Sequence, residues 1–406
     1  MQSAIAQLEE AEAALDQTLL LSEFPSSEKE PERCIYLNTG SCGRKPASVL
    51  AAINQGWQKL NINPTYATFL DEEPQNSARY AIAKLLGVDS SNLILTQNST
   101  QGLQLIMQSL LREAGDHFIT TNTEHGSVNT IARYLAEEHG VTTSRVNADP
   151  KLGSAALCQA LLAHVTAKTR LILVSQISSY TGWRANLAVL EHEAAKLGVA
   201  VLIDGARAMG QLDGEIIGQS KLWVGSAHKW LGGPNGTGVV YVAPEMISKL
   251  KPVAIGDYFY TKRDADLSDL TSFESGGTAD VVRWKGLARA CQLQEQLGIS
   301  NIRRKQLSLA RYVRDQLERE FQPSFRTPDF FSDNLYEASS LVTCSWPAER
   351  LKTNDLRQTL WHNFNIWTQP DFLNEQPGHG MRVACHYANT KDEIDKLLQA
   401  LQTLVI

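Results

Sequence analysis

Apolar residues along the chain recur with two periods. Near the start, Ile5, Leu8, Ala11 and Leu15 are spaced along one helical face, so residues 2–18 are predicted to form an amphipathic helix, followed by a polar linker from Pro25 to Pro31. From about residue 80, short apolar runs take over: NLILT (92–96), HFITT (117–121), RLILVSQI (170–177), AVLID (200–204) and KLWVGS (221–226). Helical stripes lie between them, including Leu103, Ile106, Met107 and Leu110, and then Leu187, Leu190, Ala194 and Leu197. Alternation of strand and helix predicts an α/β fold whose mostly parallel sheet is covered on both faces. The run GTGVVYVA (236–243) arrives too soon after the preceding strand for a crossover helix, which predicts an antiparallel strand there.

After about residue 280 the pattern changes. Helical segments (283–299, 302–321, 348–363, 391–404) enclose strand-like stretches at 339–346 and 381–387, as in a smaller α+β domain. The organisation read from this is an N-terminal helix and linker (1–30) packing with the small domain, a large domain (31–280) and a small domain (281–406).

Composition narrows the function. A net charge of −6 gives no broad positive field for nucleic acid. No apolar run approaches the ~20 residues that span a bilayer, and the start of the chain lacks the basic flank and unbroken apolar stretch of a signal peptide. The six cysteines lie far apart without a CxxC pair, as reduced thiols of a cytoplasmic protein would.

In open α/β sheets, ligands bind beyond the carboxyl ends of the strands. Ser99 and Thr100 follow the first run at the start of a helix, where free N–H groups and hydroxyls suit a phosphate, although ordinary capping would use the same residues. His125, Asp204, Ser226, His228 and Lys229 follow later strand ends. Each has a bland reading as a structural or solvated group. Together they supply an anion cradle, a ring-stacking group, a carboxylate and an amine, which is what pyridoxal phosphate requires.

These residues resemble the class V aminotransferase family of fold type I pyridoxal-phosphate enzymes, whose members include cysteine desulfurases, cystine C–S lyases and epimerases. The strongest likeness is SAHKWLGGPNGTG (226–238), similar to the family's Ser-x-His-Lys segment and glycine-rich turn. The resemblance implies a seven-stranded sheet in the large domain and a homodimer with shared active sites. It makes Lys229 the lysine that holds the cofactor covalently, with Ser99, Thr100, Ser226 and His228 around the phosphate. His125 would stack on the ring and Asp204 would pair with the pyridine nitrogen. Thr278, in FESGGT (273–278), would reach the phosphate of the neighbouring subunit, and Arg382 would bind the substrate carboxylate.

Three departures stand out. Arg207 replaces a neutral amide near the ring hydroxyl and would favour its phenolate, and Ser179 replaces an asparagine. In TQPDFLNEQ (368–376), Gln369 stands near an arginine position and the loop has no cysteine. A desulfurase needs a mobile thiolate, and Cys385, on the strand face opposite Arg382, reads as core. The expected reaction is therefore β-elimination from cystine or cysteine-like amino acids, giving pyruvate, ammonia and a persulfide or thiol. Another class V activity, such as desulfurisation, transamination or epimerisation, is the alternative.

Overall fold

A computed structural model of the chain describes residues 15–25 and 34–406, apart from 215, 257, 267, 275–276, 327 and 374–376. Most of the helix expected at 2–18, most of the linker, and parts of the 273–278 and 368–376 segments lie outside the described residues. In chain order the strands are β1 (Ile35–Tyr36), β2 (Leu93–Thr96), β3 (His117–Thr121), β4 (Thr142–Val146), β5 (Thr169–Ser175) and β6 (Ala200–Asp204), then β7 (Leu222–Ser226), β8 (Gly238–Val242), β9 (Ser324–Phe325), β10 (Leu341–Ser345), β11 (Ile366–Trp367) and β12 (Gly380–Ala384).

Seven of them form one sheet in the order β2-β8-β7-β6-β5-β3-β4. Strand β8 runs antiparallel to both β7 and β2, as its short connection predicts, and the other neighbours pair in parallel. Apolar runs form these strands because both sheet faces are covered. Leu95, Ile119, Ile172, Ile203 and Trp223 enter one core, whereas their neighbours Ile94, Phe118, Leu171, Leu202 and Leu222 enter the core on the opposite face. Strand β4 has no such run: its sequence is Thr-Thr-Ser-Arg-Val, and as an edge strand it buries only Val146 fully. The stripe through Leu187, Leu190 and Ala194 is buried, but Leu197 is 56% exposed because the helix ends at Lys196 and the chain turns away.

In the C-terminal part, β12, β10 and β9 form an antiparallel sheet. Met381, Val383 and Cys385 pack there with Cys344, Val313 and Leu398. The helix Val282–Leu297 contributes Trp284, Leu287 and Ala290 to a core of the large sheet, while its Leu293 and Leu297 pack against Leu15, Leu20 and Phe24 around the helix Gln17–Glu23. Strand β1 pairs with β11, and Asn38 bridges to Ala384, so the chain just before the large sheet is tied to the C-terminal strands.

Candidate active site

The carboxyl ends of β2, β6 and β7 open on a cavity of about 360 Å³. Beyond β2, Asn98 caps the helix Ser99–Leu110 by accepting Gln101 N at 2.9 Å, so Ser99 and Thr100 are its first helical residues and not the cap. Ser226 Oγ, at the end of β7, accepts Ser99 N at 3.2 Å and donates to Ser99 Oγ at 2.9 Å. A helix start, two seryl hydroxyls, Thr100 and His228 therefore line one end of the cavity. Gly238 permits this approach, since a Cβ there would lie 2.6 Å from Asn98 Cα.

Lys229 lies immediately beyond β7 and is buried. Burial drives its amine well below the ordinary lysine value; the Arg207 and Arg382 charges push the same way, against Asp204. A neutral amine is the nucleophilic form. The loop 38–43 holds this segment down: Gly43 N donates to His228 O at 2.8 Å, and a Cβ on Gly43 would lie 2.0 Å from Lys229 O.

Asp204 ends β6, 3% exposed, with Oδ1 accepting Ala206 N at 2.9 Å. Behind it Glu124 accepts Thr121 Oγ1 at 2.7 Å and Ser175 N at 3.1 Å, and burial pushes its carboxyl up to about 7, with the Asp204 charge adding to the rise. Next to Glu124, His125 lines the cavity, and Ser127 N donates to its Nδ1 at 3.2 Å. Burial and the nearby Arg207 and Lys229 charges hold its imidazole below the ordinary value. Burial pushes His228 down to about 4.

Arg382 reaches the opposite end from β12. Its Nη1 donates to Ser179 O at 2.6 Å, and its Nη2 to Asn38 Oδ1 at 3.2 Å and Ser41 Oγ at 3.3 Å. Gln369 pairs with the Arg382 backbone and accepts Asn38 Nδ2 at 2.9 Å. Arg207 is buried beside Asp204, and desolvation lowers its pKa. Three buried polar atoms here, Ser179 Oγ, Arg207 Nε and Arg382 Nε, have no partner. Such atoms are costly unless a ligand meets them.

Of the residues singled out by sequence, Ser99, Thr100, His125, Ser179, Asp204, Arg207, Ser226, His228, Lys229, Gln369 and Arg382 all line this cavity. Thr278 does not. It lines a separate cavity of about 620 Å³ with Arg79, Lys262 and Glu274. Sequence reasoning missed Asn38, Ser41, Asn98 and Tyr180. The stretch YLNTGSCG (36–43) holds Asn38 and Ser41, and its polar residues carry no periodic signal. No cluster of His, Cys, Asp or Glu that could hold a metal occurs among the described residues.

The donor set fits pyridoxal phosphate. The helix start with its hydroxyls suits a dianion, Asp204 a protonated pyridine nitrogen, and Lys229 an aldehyde, while Ser179 and Arg207, each with an unpartnered buried polar atom, line the same cavity.

The family model for aminotransferase class-V matches residues 35–397. Isopenicillin N epimerase of Streptomyces clavuligerus is 29% identical over 385 residues, covering 91% of this chain and 94% of that protein. A probable cysteine desulfurase of Ureaplasma parvum is 28% identical over 306 residues, covering 71% and 74%. Among solved structures, the cystine C–S lyase C-DES in complex with cysteine persulfide superposes with a TM-score of 0.81 at 22% identity, covering 92% of this chain and 98% of that one. The apo cysteine desulfurase of Thermococcus onnurineus gives 0.78 at 19% identity, covering 96% and 98%.

Proposed function

The chain belongs to the aminotransferase class-V family and is a pyridoxal-phosphate-dependent enzyme, and from that premise we propose that it is a C–S lyase acting by β-elimination on cystine or a similar compact β-thio amino acid. The observation carrying this reading is that none of the six cysteines lines the cavity. Burial pushes the thiol of Cys385 up to about 12, so it is not a thiolate carrier. This supports a reaction in which sulfur leaves with the substrate fragment. The cavity also has to hold both cofactor and substrate, which favours a compact amino acid.

When bound, the cofactor withdraws electrons from the bonds at the substrate Cα. Lys229 would hold it and then, as a neutral amine, take the Cα proton. The Cβ–S bond breaks with its electron pair going to sulfur, which leaves as a thiol or persulfide, and water hydrolyses the released 2-aminoacrylate to pyruvate and ammonia. Asp204 would keep the pyridine nitrogen protonated and His125 would cover the ring. Ser99, Thr100, Ser226 and His228 would bind the phosphate, with Ser179 and Arg207 near the ring hydroxyl. Arg382, oriented by Asn38 and Gln369, would take the substrate carboxylate in a charge-assisted pair.

The same proposal includes a large unit (31–280), a small one (281–406) with residues 1–30 against it, a cytoplasmic location, and a homodimer in which Thr278 completes the partner's phosphate site. Among the described residues, no helix is long and apolar enough to cross a membrane. Trp57, Tyr66, Phe69 and Leu70 are exposed on and just after the helices Ala47–Leu60 and Pro64–Phe69, and Phe69 lines the Thr278 cavity, which supports an interface there.

Similarity to isopenicillin N epimerase over nine-tenths of the chain favours Cα epimerisation as a second reading. Incubation of the holoenzyme with L-cystine, L-cysteine and other amino acids, scoring pyruvate, ammonia, sulfide, alanine and optical inversion, tests both. Pyruvate and sulfur release from cystine without alanine is the expected result. Inversion without elimination would establish the epimerase reading, and alanine with a protein persulfide would refute the lyase.

A further inference from the structure

Past Ile203 a second cavity of about 550 Å³, sharing no lining residue with the Lys229 cavity, opens between the large sheet and the C-terminal part. Its apolar wall includes Leu187, Ile203, Ile216, Ile217 and Leu335. Two arginines line it although they are only 7% and 8% exposed, Arg184 and Arg303.

Arg303 is fully engaged: it donates to Gln211 O and Leu335 O, both at 3.2 Å, and its Nε lies 3.2 Å from Asp213 Oδ1. Arg184 is not. Its guanidinium lies over the Tyr336 ring at 3.8 Å and Nη1 makes one long bond, 3.4 Å, to Tyr336 O, while Nε has no partner. The carboxylate of Glu337, next in the chain to Tyr336, is taken up by Ser154 Oγ at 2.7 Å and Trp183 Nε1 at 2.8 Å.

Among the described residues the ionisable groups lining the cavity are Arg184, Arg303 and Arg304 against Asp213 and Glu191, together with the Tyr336 phenol. Glu191 accepts the Ser220 hydroxyl, and burial raises its pKa. The balance is cationic. A guanidinium largely removed from water is unfavourable unless it is paired, and Asp213, the carboxylate whose charge acts on Arg184, is already bonded to Arg303, so a carboxylate entering the cavity would supply the partner Arg184 lacks.

We propose that this cavity binds a small organic carboxylate, with the carboxylate on Arg184 and an apolar body against Ile203, Ile216 and Ile217. The site is separate from the Lys229 cavity and does not depend on which reaction occurs there. An apolar wall selects against inorganic anions, and Arg184 selects against neutral molecules of the same shape.

Calorimetric titration of the holoprotein with hexanoate, hexan-1-ol and inorganic phosphate tests this. Hexanoate is expected to bind once per chain and at least tenfold more tightly than the other two. Arg184→Gln should weaken hexanoate by about tenfold or more, as for loss of one hydrogen bond to a charged group, with bound cofactor unchanged. Arg382→Lys should leave hexanoate binding intact, which distinguishes this cavity from the substrate site. Tyr336→Glu, at an exposed wall position, supplies an internal carboxylate to Arg184 and should abolish binding even if Arg184→Gln does not fold. Absence of hexanoate binding, equal binding of phosphate, equal binding by the Tyr336→Glu variant, or loss on Arg382→Lys would each overturn the proposal.

Discussion

Replacing Arg382 by lysine tests how the substrate carboxylate is held. In the free site, Nη1 is committed to Ser179 O by a short 2.6 Å bond, whereas Nη2 makes two longer ones, 3.2 Å to Asn38 and 3.3 Å to Ser41, and Nε makes none. A carboxylate can therefore displace the weaker Nη2 contacts, and a small shift of the guanidinium would bring the buried Nε to its second oxygen. Lysine retains the charge but offers a point donor, so one charge-assisted hydrogen bond disappears. Such a bond is worth about 1.5–3 kcal/mol, which corresponds to roughly 10- to 150-fold weaker binding. Spectroscopic titration with an unreactive amino-acid analogue should show that loss in Kd, with cofactor content unchanged because Arg382 is at the opposite end of the cavity from Ser99 and Ser226. Turnover at saturating substrate should fall less than kcat/KM. An unaltered Kd would place the carboxylate elsewhere and refute the assignment.

Borohydride reduction of the holoenzyme followed by peptide mapping should find the cofactor on Lys229, and Lys229→Ala should bind it without being trapped; label on another lysine would contradict this. Gly43→Ala should lower the thermal midpoint and cofactor occupancy, because its Cβ would lie 2.0 Å from Lys229 O and 2.9 Å from Lys229 C, a backbone collision costing at least ~1–3 kcal/mol. Gly126→Ala, with nothing within 4 Å, is the control, and equal midpoints for the two would remove the packing argument. Glu124 has a folded pKa of about 7 against an ordinary 4.5, so its contribution to stability is present below 4.5 and is lost as pH rises through about 7. Glu124→Gln should accordingly lessen the fall in melting temperature of the apoprotein between pH 5 and pH 8; an undiminished fall would show that Glu124 is ionised when buried.

What could be read in advance was whatever depends on local pattern. The runs 92–96, 117–121 and 200–204 are legible because a strand covered on both faces must be apolar at every position. Strand β4 escaped because its faces are largely uncovered and only Val146 of its five residues is buried. The Ser226–Lys229 segment was legible because strand-end chemistry is concentrated in a few consecutive residues. Glu124 and Asn38 were not, since their roles come from what folds against them: Ser175 against the first, Gln369 and Arg382 against the second. Arg184 is a similar case, because only the burial of its unpartnered edge beside Tyr336 distinguishes it from a solvated charge.

The bonds from Asn38 to Gln369 and to Arg382 span 331 and 344 residues. Contacts so distant along the chain close only after the entropy of the intervening loop has been overcome by other structure. During synthesis, all seven strands of the large sheet, together with Ser99, Asp204 and Lys229, have been made once Val242 emerges, whereas Arg382 is still to be translated. The cradle assigned to the cofactor is thus complete well before the clamp assigned to the substrate, and a nascent or C-terminally shortened chain would meet its cofactor first, without the arginine that selects what the cofactor acts upon.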